Sequence, residues 1–164
     1  MQKHRGFTLI EILVVVAIIG VLASIIAVPL NTARKKARDV RRKVELGQIG
    51  RFLSASSCYM PVAGAGEHDL ADLLVELRAK YPQYTNVFSQ TPHDPGPGTD
   101  AQSFYKYIVT ADGKNCVLYA NLENDNEPAT LPNISVPTPG GGKGVFEAPS
   151  SGWNGSPKYF QVSN

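Results

Sequence analysis

The sequence predicts an α+β protein in which a long N-terminal α-helix, a spine, packs on a small, mainly antiparallel β-sheet. Three observations carry that expectation. Residues 7–30 are an almost unbroken apolar run. Leu70, Leu73, Leu74 and Leu77 recur at i, i+3, i+4 and i+7, the spacing of one helix face. After residue 100 the pattern changes to short alternating segments, two of them joined across Asp112-Gly113. At 164 residues the chain suits one globular domain plus an anchor. A net charge of +2 selects no partner by itself.

The first element is residues 7–30, which as a helix would measure about 36 Å, enough for the ~30 Å hydrocarbon core of a bilayer. It is apolar around its whole circumference, so it must be covered by lipid or by other apolar helices. A secretory signal peptide fits poorly, because the run is long and no small-x-small cleavage site follows it. Glu11 is its only charge. A carboxylate in lipid is costly, up to ~3 kcal/mol at a helix centre. Near the helix end it is either a tolerated interfacial charge or one partner of an ion pair. Cleavage between Gly6 and Phe7 would create the other partner, an α-ammonium four residues before Glu11. Pro29 removes a helical hydrogen bond, and Gly20 costs roughly 1 kcal/mol relative to alanine. Together they are expected to bracket a segment that loosens when helices pack. Gly20 also permits close helix approach.

The stretch Gly6-Phe7-Thr8-Leu9-Ile10-Glu11, followed by the long apolar run, resembles the processing site of type IV pilins and type II secretion pseudopilins. The resemblance implies a leader, residues 1–6, removed by a prepilin peptidase, and N-methylation of Phe7. It implies residues 7–30 as a transmembrane and filament-core helix, and 31–164 as a globular pilin-like domain that includes the amphipathic half of the long helix. It implies that Glu11 registers incoming subunits against the Phe7 amine. The implied protein is a structural prepilin of a type IV pilus-like filament. Its partners would be copies of itself, other pilins or pseudopilins, an inner-membrane assembly platform and the bilayer. Before assembly it would be a single-pass membrane protein with its C-terminal domain outside the cytoplasm. After assembly it would belong to a cell-surface or periplasmic filament. The alternatives are a type II secretion pseudopilin and a membrane-anchored binding module that does not polymerise.

Residues 31–57 continue the helical pattern. Ala33, Ala37, Val40 and Val44, extended by Ile49, Phe52 and Leu53, are expected to pack on the sheet. The other face carries Arg34, Lys35, Lys36, Arg38, Arg41, Arg42 and Lys43. These residues are candidate contacts for an anionic partner. Nucleic acid is one reading. The other is a solvated face near lipid headgroups or against acids of neighbouring subunits, favoured because no aromatic platform interleaves with the charges. The positive-inside rule alone would place 34–43 in the cytoplasm, against the orientation that the processing motif requires.

Beyond the helix, Asp69 is expected to N-cap a short helix over 70–80. A Pro-rich loop follows over 82–100. A hairpin covers 103–110 and 115–122, and short strands lie at 145–147 and 158–162, giving three or four strands in all. Cys58 and Cys116 allow one intramolecular pairing. Export of the domain favours a disulfide, worth roughly 4 kcal/mol in the chain-entropy account, over two buried thiols. No cofactor is expected. Glu123, Asp125 and Glu127 form an oxygen-rich stretch that invites comparison with calcium sites, but a surface acidic loop is the simpler reading. His4, His68 and His93 fall in no metal or catalytic pattern with the cysteines, so neither a metal site nor an enzyme is expected.

Overall fold

The apolar run and the charged stretch after it form one helix, α1, over Leu9–Leu53, which includes positions 20 and 29. The computed structural model describes residues 6–53, 58–84 and 90–164, with the side chains of 25–29, 53 and 84 outside that description. The expected leader therefore lies outside the described residues except for Gly6. So do the Pro29 side chain and positions 54–57, where the helix was expected to end.

The chain divides into two units, Met1–Lys35 and Lys36–Asn164. In the first, the described apolar side chains of α1 are exposed: Leu9 by 82%, Ile10 by 72% and Val16 by 63%. Among the described residues no helix is long and apolar enough to cross a membrane. The expected span, 7–30, runs through positions whose side chains are not described.

The second unit contains strand β1 (Gly66–Asp69), helix α2 (Leu70–Lys80), a 3-10 turn (Pro82–Tyr84), and strands β2 (Lys106–Val109), β3 (Cys116–Asn121), β4 (Gly144–Glu147) and β5 (Lys158–Ser163). The strands make one antiparallel sheet in the order β1-β2-β3-β5-β4. α2 starts where expected, because the Asp69 carboxylate accepts the Ala71 N–H at 3.0 Å and caps the first turn. The β2–β3 turn uses Gly113 at φ +66, a conformation that a β-carbon would disfavour. β1 is the strand that the sequence did not announce. Gly-Glu-His-Asp has little strand propensity, and β2 recruits it through pairs from Gly66–Val109 to Asp69–Lys106.

The core lies between the helices and one sheet face. Tyr107, Val109, Leu118, Ala120, Val145 and Phe160 meet Leu46 and Ile49 of α1 and the α2 leucines. Gly50 lets α1 approach β5 closely, since a β-carbon there would come within 2.7 Å of Val162 Cγ1. Cys58 and Cys116 are joined by a disulfide.

The orientation of α1 in this unit corrects the expectation. Ala37, Val40 and Val44 are exposed, as is Ala33 in the first unit. The buried face is Asp39, Arg42, Leu46 and Ile49. Residues two apart on a helix point about 200° apart, so Val40 and Arg42 occupy opposite sides. Burying Arg42 is feasible because carboxylates from distant parts of the chain surround it.

Candidate assembly site

The N-terminal site is built on a helix start. Thr8 precedes α1 and Glu11 is its third helical residue. The Thr8 N–H donates to Glu11 Oε2 at 2.8 Å, and the Thr8 hydroxyl donates to the same oxygen at 2.8 Å. In return the Glu11 N–H donates to Thr8 Oγ1 at 3.3 Å. This is a reciprocal capping box, which satisfies donors that a helix start otherwise leaves open. It also places a carboxylate at the positive end of the helix dipole. No ion pair to Glu11 forms among the described residues.

Thr8 is the residue that the sequence reading missed. Its signal was present: Thr-x-x-Glu before an apolar run. Gly6 and Phe7 lie ahead of the helix and are exposed, Phe7 by 79%. A β-carbon on Gly6 would meet nothing within 4 Å. The bond between them is thus set in an accessible, non-helical stretch directly before the cap. Phe7, Leu9, Ile12, Leu13 and Val16 line a shallow apolar groove of about 530 Å³. The carboxylate, the adjacent backbone and an apolar surface are all present where a freed amine would emerge. Gly20 stands in open space on the helix.

The basic stretch behaves differently from the expected single face. Arg42 is fully buried. Its Nε and Nη2 donate to the two oxygens of Asp94 at 2.9 and 2.5 Å, its Nη1 to Asp39 at 2.7 Å and its Nη2 to Glu123 at 2.7 Å. Burial alone would lower the Arg42 pKa; the bonds to Asp94 and Glu123 outweigh it and hold the guanidinium above its ordinary value. Asp39 also accepts the backbone N–H groups of Glu123 and Asn124, both at 2.9 Å. Asp94 further accepts Trp153 Nε1 at 3.2 Å and Asn154 Nδ2 at 2.8 Å. One arginine therefore ties α1 to the loop before β2 and to the segment just after β3, and Asp94 extends the tie to the β4–β5 loop.

Arg38 binds Glu123, Arg41 binds Glu45, and Lys43 binds Glu127. Arg42 is thus removed from the set of candidate anion contacts, and Arg38, Arg41 and Lys43 already hold carboxylates of their own chain. Arg34, Lys35 and Lys36 are exposed. Glu123 and Glu127, raised above in connection with calcium, are turned toward these cations. Among the described residues no group of three His, Cys, Asp or Glu side chains converges as a metal site would require.

The Arg38 guanidinium, and after it Arg42, hold the Glu123 carboxyl at about 2, down from the usual 4.5. A depressed carboxyl contributes stability above its unfolded pKa and loses it as pH falls toward the folded one. The domain is therefore expected to weaken from about pH 4.5 down to about 2. Glu123→Gln should flatten that part of an acid-unfolding profile followed by circular dichroism; an unchanged profile would remove Glu123 as its source.

Residues 1–27 match the family described as the prokaryotic N-terminal methylation motif. The match is confined to this N-terminal segment. Over 52 residues the chain is 51% identical to the type IV wide pilus major component PilA4 of Thermus thermophilus, covering 32% of this chain and 40% of that protein. Over 37 residues it is 54% identical to the type II secretion system core protein G of Klebsiella pneumoniae, covering 23% of this chain and 26% of that protein. The chain thus spans less than half the length of either relative in these matches. Neither name denotes an enzyme. No solved structure matches. The matched stretch, residues 1–27, contains the Gly6–Phe7 junction and the Thr8–Glu11 cap.

Proposed function

We propose that this chain is a prepilin, a structural subunit of a type IV pilus-like filament. A prepilin peptidase hydrolyses the Gly6–Phe7 bond, the new Phe7 amine is methylated, and the apolar helix over 7–30 first anchors the protein in the membrane and then packs among other copies. The observation that carries this reading is the first half of α1: its described apolar side chains are exposed, and its single charge is held at the helix start beside the scissile bond. Such a surface needs a lipid or protein cover. Glu11 and a freed Phe7 amine on a neighbouring copy would offset much of each other's desolvation once buried together. The C-terminal domain then lies outside the cytoplasm, a compartment that suits the Cys58–Cys116 disulfide.

A second reading, a type II secretion pseudopilin, is favoured by the likeness to the secretion core protein. It uses the same processing and the same helix. Co-purification of the assembled filament with either surface pili or the secretion channel separates the two.

Glu11→Ala tests what the readings share. The variant should insert in the membrane and be cleaved, with a mature mass starting at Phe7 plus one methyl, yet yield no sheared filament. Filaments at the unsubstituted level from this variant would sink the assembly role of Glu11. A mature protein still carrying residues 1–6 would sink the processing.

A further inference from the structure

Helix α1 presents an apolar face that its own domain does not use. Val40 and Val44 are 58% and 53% exposed. With Gly47 and Phe160 they line an open groove of about 410 Å³. Cations rim it. Lys43 is matched within the chain by Glu127. Arg51 donates back to the Gly47 carbonyl at 3.0 Å and makes no ion pair among the described residues. Lys143 Nζ lies 3.5 Å from where a Gly47 β-carbon would stand, and it too has no carboxylate partner among the described residues. An apolar floor beneath two unmatched cations calls for an apolar ridge that brings a carboxylate.

The same chain carries such a ridge. On α2 the leucines face the core, while Asp72, Val75 and Ala79 are exposed at i, i+3 and i+7, Val75 by 64%. Asp72 has no ion pair among the described residues. The chain's own α2 does not fill the groove. Val75 lines a separate cleft with Arg41, Glu45 and Arg78.

We propose that the outer groove of α1, from Val40 to Arg51, seats α2 of a second copy of this chain. Val75 and Ala79 lie against Val40 and Val44, and Asp72 faces Arg51 and Lys143. The two faces differ, so the contact is heterologous and can repeat without closing, as a filament requires. Small residues at Gly47 and Ala79 allow the helices to approach. This inference rests on the filament reading above and adds to it a contact between globular domains.

The test uses the full-length chain in its assembling cells. Val44→Asp and Val75→Asp each place a charge in the proposed contact at a site exposed in the single chain. Both variants should reach the membrane, form the disulfide and be processed at unsubstituted levels, yet lose sheared filament. As an independent arm, filaments of a Val44→Cys/Val75→Cys chain treated with a short bis-maleimide should give a ladder of covalent multimers absent from either single variant. Filaments from both aspartate variants at the unsubstituted level, or assembled double-cysteine filaments without a ladder, would overturn the contact and leave the filament reading standing. Absence of filaments from the unsubstituted chain would overturn that reading and this one with it.

Discussion

Arg42→Met is expected to destabilise the globular domain by about 3–5 kcal/mol. Methionine replaces much of the apolar volume but none of the charge. Asp94, fully buried, would lose both of its guanidinium bonds, and Asp39 would lose one of its three donors while keeping two backbone N–H groups. A buried carboxylate without its cation costs far more than a surface pair contributes. Lysine should rescue little, because one ammonium cannot reproduce the planar fork that reaches Asp94, Asp39 and Glu123 together. Urea unfolding of the full chain in detergent, followed by circular dichroism, measures this. A loss below about 1 kcal/mol would mean that the cluster contributes no more than exposed ion pairs do. Arg41→Met is the matched control. Arg41 is on the exposed side of α1, so its loss should stay within about 0.5 kcal/mol.

Replacing both cysteines by serine is expected to cost roughly 4 kcal/mol. The Cys58–Cys116 bond closes a loop of 58 residues that contains β1, α2 and β2, and opening it frees the unfolded chain more than the folded one. Against a total stability of about 5–15 kcal/mol for an ordinary domain, that loss would leave a marginal fold. Cys58 and Cys116 are both buried, so a reductant should act slowly on the folded domain and quickly once denaturant opens it. The shift in denaturation midpoint between oxidised chain and double serine variant gives the number. A shift equivalent to less than about 1 kcal/mol would show that the unfolded chain is already held compact by other contacts.

Much of the fold was legible because its signals are local. The leucine spacing of α2, its Asp69 cap and the Asp-Gly turn each lie within a few residues of what they specify. β1 was not legible: four residues of weak propensity become a strand only because β2 offers an edge. The packing of α1 was legible only at Ile49, for a related reason. Its apolar residues were assigned to the core and its charges to solvent, yet Arg42 is buried by Asp94 and Glu123, which lie 52 and 81 residues away in sequence. No window on the helix contains that information. The same distance effect bears on topology. A count of cations over 34–43 sees a strongly basic segment, whereas in the folded domain four of them are matched by carboxylates of the same chain. At the N-terminus Gly6, Phe7 and Glu11 could be read from one contiguous motif, and the Thr8 cap was readable there too.

The Thr8–Glu11 capping box lies entirely on the C-terminal side of the Gly6–Phe7 bond. Severing that bond removes none of the groups that start the helix, since the Thr8 amide, its hydroxyl and the Glu11 carboxylate all stay with the larger product. Under the proposed processing, the groups that start the helix are therefore the same before and after the cut. What the cut changes is the charge at the tip, from a neutral peptide to an ammonium. In the proposed prepilin, helix initiation and assembly would thus depend on adjacent residues, yet could be altered one without the other.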